Sequence, residues 1–142
     1  MSGDAAFEEP TYSFNEQAKN VLRVVVKIPG MRSSAVLRFK NFLPQMDREV
    51  DNGRAQVNFQ TRGFSFCFFG SGELQGKRYC LTVKDLPNDI LPAKCNCEPH
   101  DGEFFILLKK AVPGSWMNAL VEGLKTAPPD ELHGDSSTIP CS

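Results

Sequence analysis

Phe64-Ser65-Phe66-Cys67-Phe68 and Tyr79-Cys80-Leu81-Thr82-Val83 each set apolar side chains two residues apart, and Val57-Asn58-Phe59 and Phe104-Phe105-Ile106-Leu107-Leu108 repeat the pattern on either side of them. Successive side chains point to opposite faces of a strand. The spacing therefore gives each segment one face for a core and one for solvent, as in half-buried antiparallel strands. Upstream, Val21 to Ile28 places Leu22, Val24, Val26 and Ile28 on one face and Arg23 and Lys27 on the other, before Pro29-Gly30 ends the run. Tyr12-Ser13-Phe14 is a further strand candidate. Arg62-Gly63 reads as a tight turn, and Gly70-Ser71-Gly72 with Gly76 marks the next hairpin. Leu86-Pro87-Asn88-Asp89 interrupts the pattern ahead of Ile90 to Cys97, and Pro99-His100-Asp101-Gly102 turns into a last strand, Glu103 to Lys110.

These segments predict an all-β fold, a seven-stranded antiparallel β-sandwich with each strand sending one face inward. The inward set is Leu22, Val24, Val26, Val57, Phe59, Phe64, Phe66, Tyr79, Leu81, Val83, Phe104, Ile106 and Leu108. Each such side chain contributes roughly 1.5–3 kcal/mol on burial before entropy is subtracted. After Pro113-Gly114 the period changes: Ser115 can cap a short C-terminal helix whose Trp116, Leu120 and Leu124 form one stripe. Trp116 is expected to seal the base of the sandwich.

Composition divides the chain into a loose leader over residues 1–10, a domain over 11–125 and a disordered tail over 126–142, the tail being too poor in apolar surface to offset ordering. Residues 31–54 read as an insertion loop with at most one short element, suggested by Leu37 and Phe39.

The chain has 142 residues and a net charge of -1, a balance that predicts no long-range attraction to nucleic acid or to an acidic membrane. Met1 to Glu9 lacks the basic end and apolar run of a secretory signal, and no segment is apolar enough to span a bilayer, so a cytoplasmic location, with nuclear access, is expected. Five cysteines, an odd number, argue against a disulfide framework in such a setting. Cys67, Cys80 and Cys95 read instead as reduced packing residues.

Catalytic chemistry finds little footing. Of the two histidines, His100 falls in a turn and His133 in the tail, neither with an evident nucleophile and orienting carboxylate. Cys95-Asn96-Cys97 with His100 offers thiolates and an imidazole, but a fourth ligand and the usual Cys-x-x-Cys spacing are missing, so neither metal nor cofactor is expected. The sequence reads as a binding module and not an enzyme.

Gly76-Lys77-Arg78-Tyr79 followed by spaced apolar residues to Ile90 resembles the central strand and crossover of the CS domain family, the module of CHORD-containing and co-chaperone proteins. Tyr12-Ser13-Phe14-Asn15-Glu16 is similar to the family's Tyr-x-Trp-x-Gln opening, and Ile106 to Lys110 leading to Trp116 and Leu120 is similar to its last strand and closing Trp-x-x-x-Leu. The resemblance covers about residues 12–122 and is strongest to the branch of calcyclin-binding, or Siah-interacting, proteins. Ile90-Leu91-Pro92-Ala93-Lys94-Cys95 is similar to a run found in CS co-chaperones of kinetochore and immune-receptor assembly. Phe14 stands where the family has Trp, and residues 31–52 exceed its usual short loop. The Siah-binding helices and SGS region of the calcyclin-binding branch have no counterpart in this sequence, so calcyclin and Siah binding are not carried over.

The resemblance implies an adaptor that binds a heat-shock protein 90 family chaperone, or alternatively one that scaffolds ubiquitin-ligase subunits. A third reading, a thiol-dependent enzyme like the prostaglandin E synthases of this fold, is weakened by the missing acidic tail. Lys110 matches the family's final-strand lysine, Tyr12 its opening tyrosine and Tyr79 its mid-domain aromatic. With Phe14, Lys77, Lys84, Lys94 and Lys109 they form the expected partner-binding set on a monomer.

Overall fold

The computed structural model describes residues 7–127 and 137–140. Two antiparallel sheets stack face to face. The first orders β1 (Tyr12–Ala18), β2 (Val21–Lys27), β9 (Glu103–Lys109) and β8 (Asn96–His100) as β1-β2-β9-β8. The second orders β10 (Lys125–Ala127), β7 (Arg78–Lys84), β6 (Gly63–Gly70), β5 (Gly53–Gln60) and β11 (Ser137–Pro140) as β10-β7-β6-β5-β11. A separate hairpin, β3 (Ser33–Lys40) with β4 (Leu43–Val50), leaves the body between β2 and β5. The chain thus has more strands than the seven expected, because the insertion and the C-terminal segment both supply strands of their own.

The core forms where the period-two pattern placed it. Leu22, Val24 and Val26 of β2 and Phe104, Ile106 and Leu108 of β9 face Val57, Phe59, Phe64, Phe66, Leu81 and Val83 of the second sheet, all of them buried. The rings of Phe66 and Phe104 meet across the layers at 4.8 Å. Tyr79 is only partly buried, packed against the cluster with its ring 6.3 Å from Phe68. Close approach explains two glycines: a Cβ on Gly63 would stand 2.4 Å from the Val83 carbonyl oxygen, and one on Gly70 would stand 2.0 Å from that of Leu74.

Several expectations are corrected. Residues 31–54 are no loop: Asn41 and Phe42, both at positive φ (53° and 66°), turn β3 back on β4, and Gly53 and Arg54 already belong to β5. Consecutive left-handed residues are what a two-residue hairpin turn needs, and asparagine tolerates that region better than most. The part of the leader within the described residues is docked. Glu8 pairs with Tyr79 through Glu8 N–H to the Arg78 carbonyl (2.9 Å) and Cys80 N–H to the Glu8 carbonyl (3.0 Å), and Pro10 is buried.

The tail adds β10 alongside β7 and β11 alongside β5, which covers backbone edges that would otherwise be free to pair with other chains. Between Ile90 and Cys97 the chain makes a single bridge at Ile90 and a 3-10 turn over Pro92–Lys94 before β8 begins at Asn96.

The expected C-terminal helix does not form. Residues 117–122 make turns only, although Ser115 Oγ accepts the Met117 N–H (3.2 Å) as a cap would. A helix nucleus is costly and needs following turns to offset it. Here Gly123, at φ 93°, and the recruitment of Lys125–Ala127 into β10 stop it after one turn. Trp116, Leu120 and Leu124 are nonetheless buried in the core.

Cys67 and Cys80 are directly opposite in the β6–β7 register and form a disulfide, correcting their reading as reduced packing residues. Cys97 is also disulfide-bonded, and among the described residues Cys95 is free and buried. Closing a loop between residues 13 apart in sequence restricts the unfolded chain, so replacing both Cys67 and Cys80 with alanine is expected to lower the unfolding free energy by about 3 kcal/mol, measured by urea denaturation. Phe66→Ala, which empties the contact between the sheets, is expected to cost about 3–5 kcal/mol in the same assay.

Candidate interaction surfaces

The eight residues singled out from sequence are not gathered in one place. Tyr12 and Phe14 alternate inward along β1 and pack, partly buried, against the core, as Tyr79 does from β7. Lys77 is exposed just before β7, while Lys84 ends that strand and is half-buried. A strand of this length spans about 20 Å, so these two lysines cannot share one small contact. Lys94 is exposed on the 3-10 turn before β8, and the half-buried Lys109 donates its backbone N–H to Cys95 Sγ at 3.3 Å.

Lys110 is not a surface residue. It is 1% exposed, and its ammonium donates to Glu16 Oε2 (2.6 Å) and to the Gly114 carbonyl (2.6 Å), 5.0 Å from the centre of the Trp116 ring. Glu16 also accepts the Trp116 N–H at Oε2 (2.6 Å) and the Ser115 hydroxyl at Oε1 (3.0 Å). One carboxylate on the edge strand thus holds the lysine that follows β9 and the start of the closing turn. A buried ammonium is tolerated only with such partners, which is why this lysine serves the closure of the sandwich and not a docking face.

The outer face of the second sheet carries a group that the sequence reading missed. Phe69 lies between Arg54 and Arg78 in the strand register. The Arg54 guanidinium sits 5.1 Å from the Phe69 ring centre, Phe7 meets Phe69 edge-on at 5.8 Å, and the Arg78 guanidinium lies 5.9 Å from Phe7. Both arginines are exposed, the two rings are half-buried, and Lys77 adjoins them. Each cation over a ring contributes about 0.5–1 kcal/mol at an exposed site while leaving the guanidinium free to donate outward. The turn at Arg62-Gly63 carried the signal for half of it: it fixes the β5–β6 register and so sets Arg54 opposite Phe69. Phe7 lay in the segment read as a leader.

A second feature is a cleft of about 350 Å³ beside the last turn, where Arg62, Lys84 and Lys125 rim Leu86, Leu120 and Leu124. Among the described residues no three His, Cys, Asp or Glu side chains gather as a metal site. Burial pushes the Cys95 thiol up from its ordinary value, and Sγ donates to the Leu91 carbonyl at 3.3 Å, an environment that disfavours the thiolate a nucleophile needs. No helix among the described residues is long and apolar enough to cross a membrane. No family model matches the chain, and no curated protein matches it either.

The Lys110 ammonium and the Trp116 N–H hold the Glu16 carboxyl below its ordinary value. A depressed carboxylate contributes stability that is present above the unfolded-state pKa and is lost as pH falls through the folded one. Acid titration of the thermal midpoint should therefore show a decline beginning below about pH 4.3, the ordinary glutamate value. In Glu16→Gln that part of the decline is expected to be absent, with a lower midpoint at neutral pH because Lys110 keeps its burial and loses its counter-charge.

Proposed function

We propose that this chain is a non-catalytic protein-interaction adaptor of the CS type, working with a heat-shock protein 90 family chaperone in the cytoplasm and nucleus. The observation that carries the reading is the Arg54–Phe69–Phe7–Arg78 ladder with Lys77 beside it, on the outside of a sheet whose inner face is packed solid. Strands β5, β6 and β7 hold Arg54, Phe69 and Arg78 in fixed positions, and the bridge at Glu8 sets Phe7 beside them, so little ordering entropy opposes binding. The chemistry suits an acidic, partly apolar segment on the partner: carboxylates reach the arginine forks and an apolar side chain covers the rings.

The resemblance to CS domains supports the choice of partner, and the stacked sheets with a central β6–β7 pair are consistent with it. The reading rests on Phe7, Phe69, Arg54 and Arg78 for aromatic and basic contacts, while Tyr12, Phe14 and Tyr79 pack against the core beneath. In a reducing compartment Cys67 and Cys80 would stand as facing thiols on this same outer face.

Titrating isotope-labelled protein with the chaperone's nucleotide-binding domain is expected to shift amide signals on the outer faces of β5, β6 and β7 and around Phe7. Arg54→Glu with Arg78→Glu is expected to weaken binding by about ten-fold or more and to flatten its salt dependence. Saturating chaperone without any shift would remove the co-chaperone reading.

A further inference from the structure

The hairpin β3–β4 presents the largest group of exposed apolar side chains among the described residues. Leu37, Phe39, Phe42, Leu43 and Met46 are each more than half exposed, and Phe42 is 97% exposed. The register sorts them. Leu37 is paired with Met46 and Phe39 with Pro44, so these four stand on one face of the hairpin, with Phe42 at its bend. The opposite face holds Val36 and the exposed Leu43 beside the charged Arg38, Asp47 and Glu49, of which Arg38 bridges to Glu49 and Asp47, while Gln45 Nε2 donates to Asp47 (3.2 Å). A two-stranded sheet with a mixed face on which Arg38 is ion-paired and an apolar, uncovered face lacks a layer on the second side.

The root of the hairpin fixes the direction of that face. Val50 is buried in the core cluster, Arg48 Nε donates to the Pro99 carbonyl (3.0 Å), and Asp101 Oδ1 accepts the Ser33 N–H (2.9 Å). Arg32 N–H and Asn52 Nδ2–H₂ lock the base further, to Asn52 Oδ1 (2.8 Å) and the Gly30 carbonyl (2.9 Å) respectively. The root packs against β8, whereas the outer half, from Leu37 to Met46, extends past it.

We propose that this apolar face is a homodimer interface, covered by the same face of a second copy around a two-fold axis. Area supports it: Phe39 and Phe42 alone offer on the order of 300 Å² of apolar surface, and Leu37, Pro44 and Met46 bring the patch to about 500 Å². A patch of that size marks an interaction site, and burying it on both copies removes about 1,000 Å², the level at which a specific interface begins. Charge supports it as well. The face carries no charge beyond Arg48, which is held at the root, and a chain with a net charge of -1 does not repel its own copy. A two-fold contact requires each patch to complement itself. Here the rung of Phe39 and Pro44 on one copy lies over the rung of Leu37 and the adaptable Met46 on the other, at the spacing of packed sheets. The interface departs from the monomer expected from the sequence and leaves the arginine–aromatic ladder of the second sheet outside it.

Sedimentation equilibrium of the whole chain over a wide concentration range tests the proposal. The protein is expected to fit a monomer–dimer equilibrium in the micromolar range, and Phe39→Lys with Leu37→Ser is expected to weaken it by about a hundred-fold while native near-ultraviolet circular dichroism is retained. Phe42→Ser provides a milder second variant, expected to weaken the dimer by a smaller factor. Isotope-filtered contacts between a labelled and an unlabelled copy should connect Phe39 with Leu37 and Met46. A monomer at every concentration, or a dimer that the variants leave untouched, would overturn the proposal. Loss of chaperone binding by Arg54→Glu and Arg78→Glu would leave dimerisation unchanged, so the two surfaces fail or stand separately.

Discussion

The position of a single buried ammonium governs how the sandwich is closed. Lys110 emerges from the end of β9 into a buried site, and its charge is met by Glu16 from the edge strand β1, the carbonyl of Gly114 and the face of Trp116. Removing one member strands the others: the carboxylate also carries the Trp116 N–H and the Ser115 hydroxyl, so it holds the closing turn as well as the lysine. Burying an ion pair is costly compared with burying hydrocarbon, but it is directional in a way that hydrocarbon is not. It sets where the chain turns after the last long strand, and with that which residues, Leu120 and Leu124, are laid over the open end of the core.

The second organising constraint is exposed sheet edge. Antiparallel layers leave backbone groups unpaired at their margins, and this chain meets those of β5, β7 and β8 with short pieces drawn from far along the sequence. Glu8 and β10 share the outer edge of β7, β11 covers β5, and the root of the β3–β4 hairpin reaches β8 through Arg48. The body of the molecule therefore owes its stability to the long alternating strands, and its restraint from sheet-to-sheet association to segments with little hydrophobic content.

That division explains what was legible in the sequence. The inward positions from Leu22 to Leu108 could be read because burial on one face of a strand imposes a period of two on residue type, and Trp116 could be read as a seal because its neighbours at four-residue spacing are apolar. Glu8, β10 and β11 could not, since a short edge strand is chosen by the partner it pairs with and carries no period of its own. The hairpin was missed for the opposite reason: Leu37, Phe39 and Met46 are apolar residues turned away from the core, which the pattern rule reads as noise. Lys110 matched a surface lysine of a familiar pattern, and only the position of Glu16, 94 residues away, shows that its charge is spent inside. The pairing of Cys67 with Cys80 needed the β6–β7 register, which a hairpin containing a 3-10 turn does not reveal from spacing alone.

The bend at Asn41-Phe42 holds a phenylalanine in a left-handed backbone conformation at the most exposed point of the hairpin, where glycine would sit without strain. A large ring on a protruding bend is what a chymotrypsin-like protease selects. Cleavage there would sever the chain without unfolding it, because eight cross-strand pairs and the anchors at Arg48, Asp101 and Asn52 still hold both halves to the body. A copy seated over the hairpin would hide the bend from the enzyme, so the rate of that one cut reports, residue by residue, on whether the face is occupied.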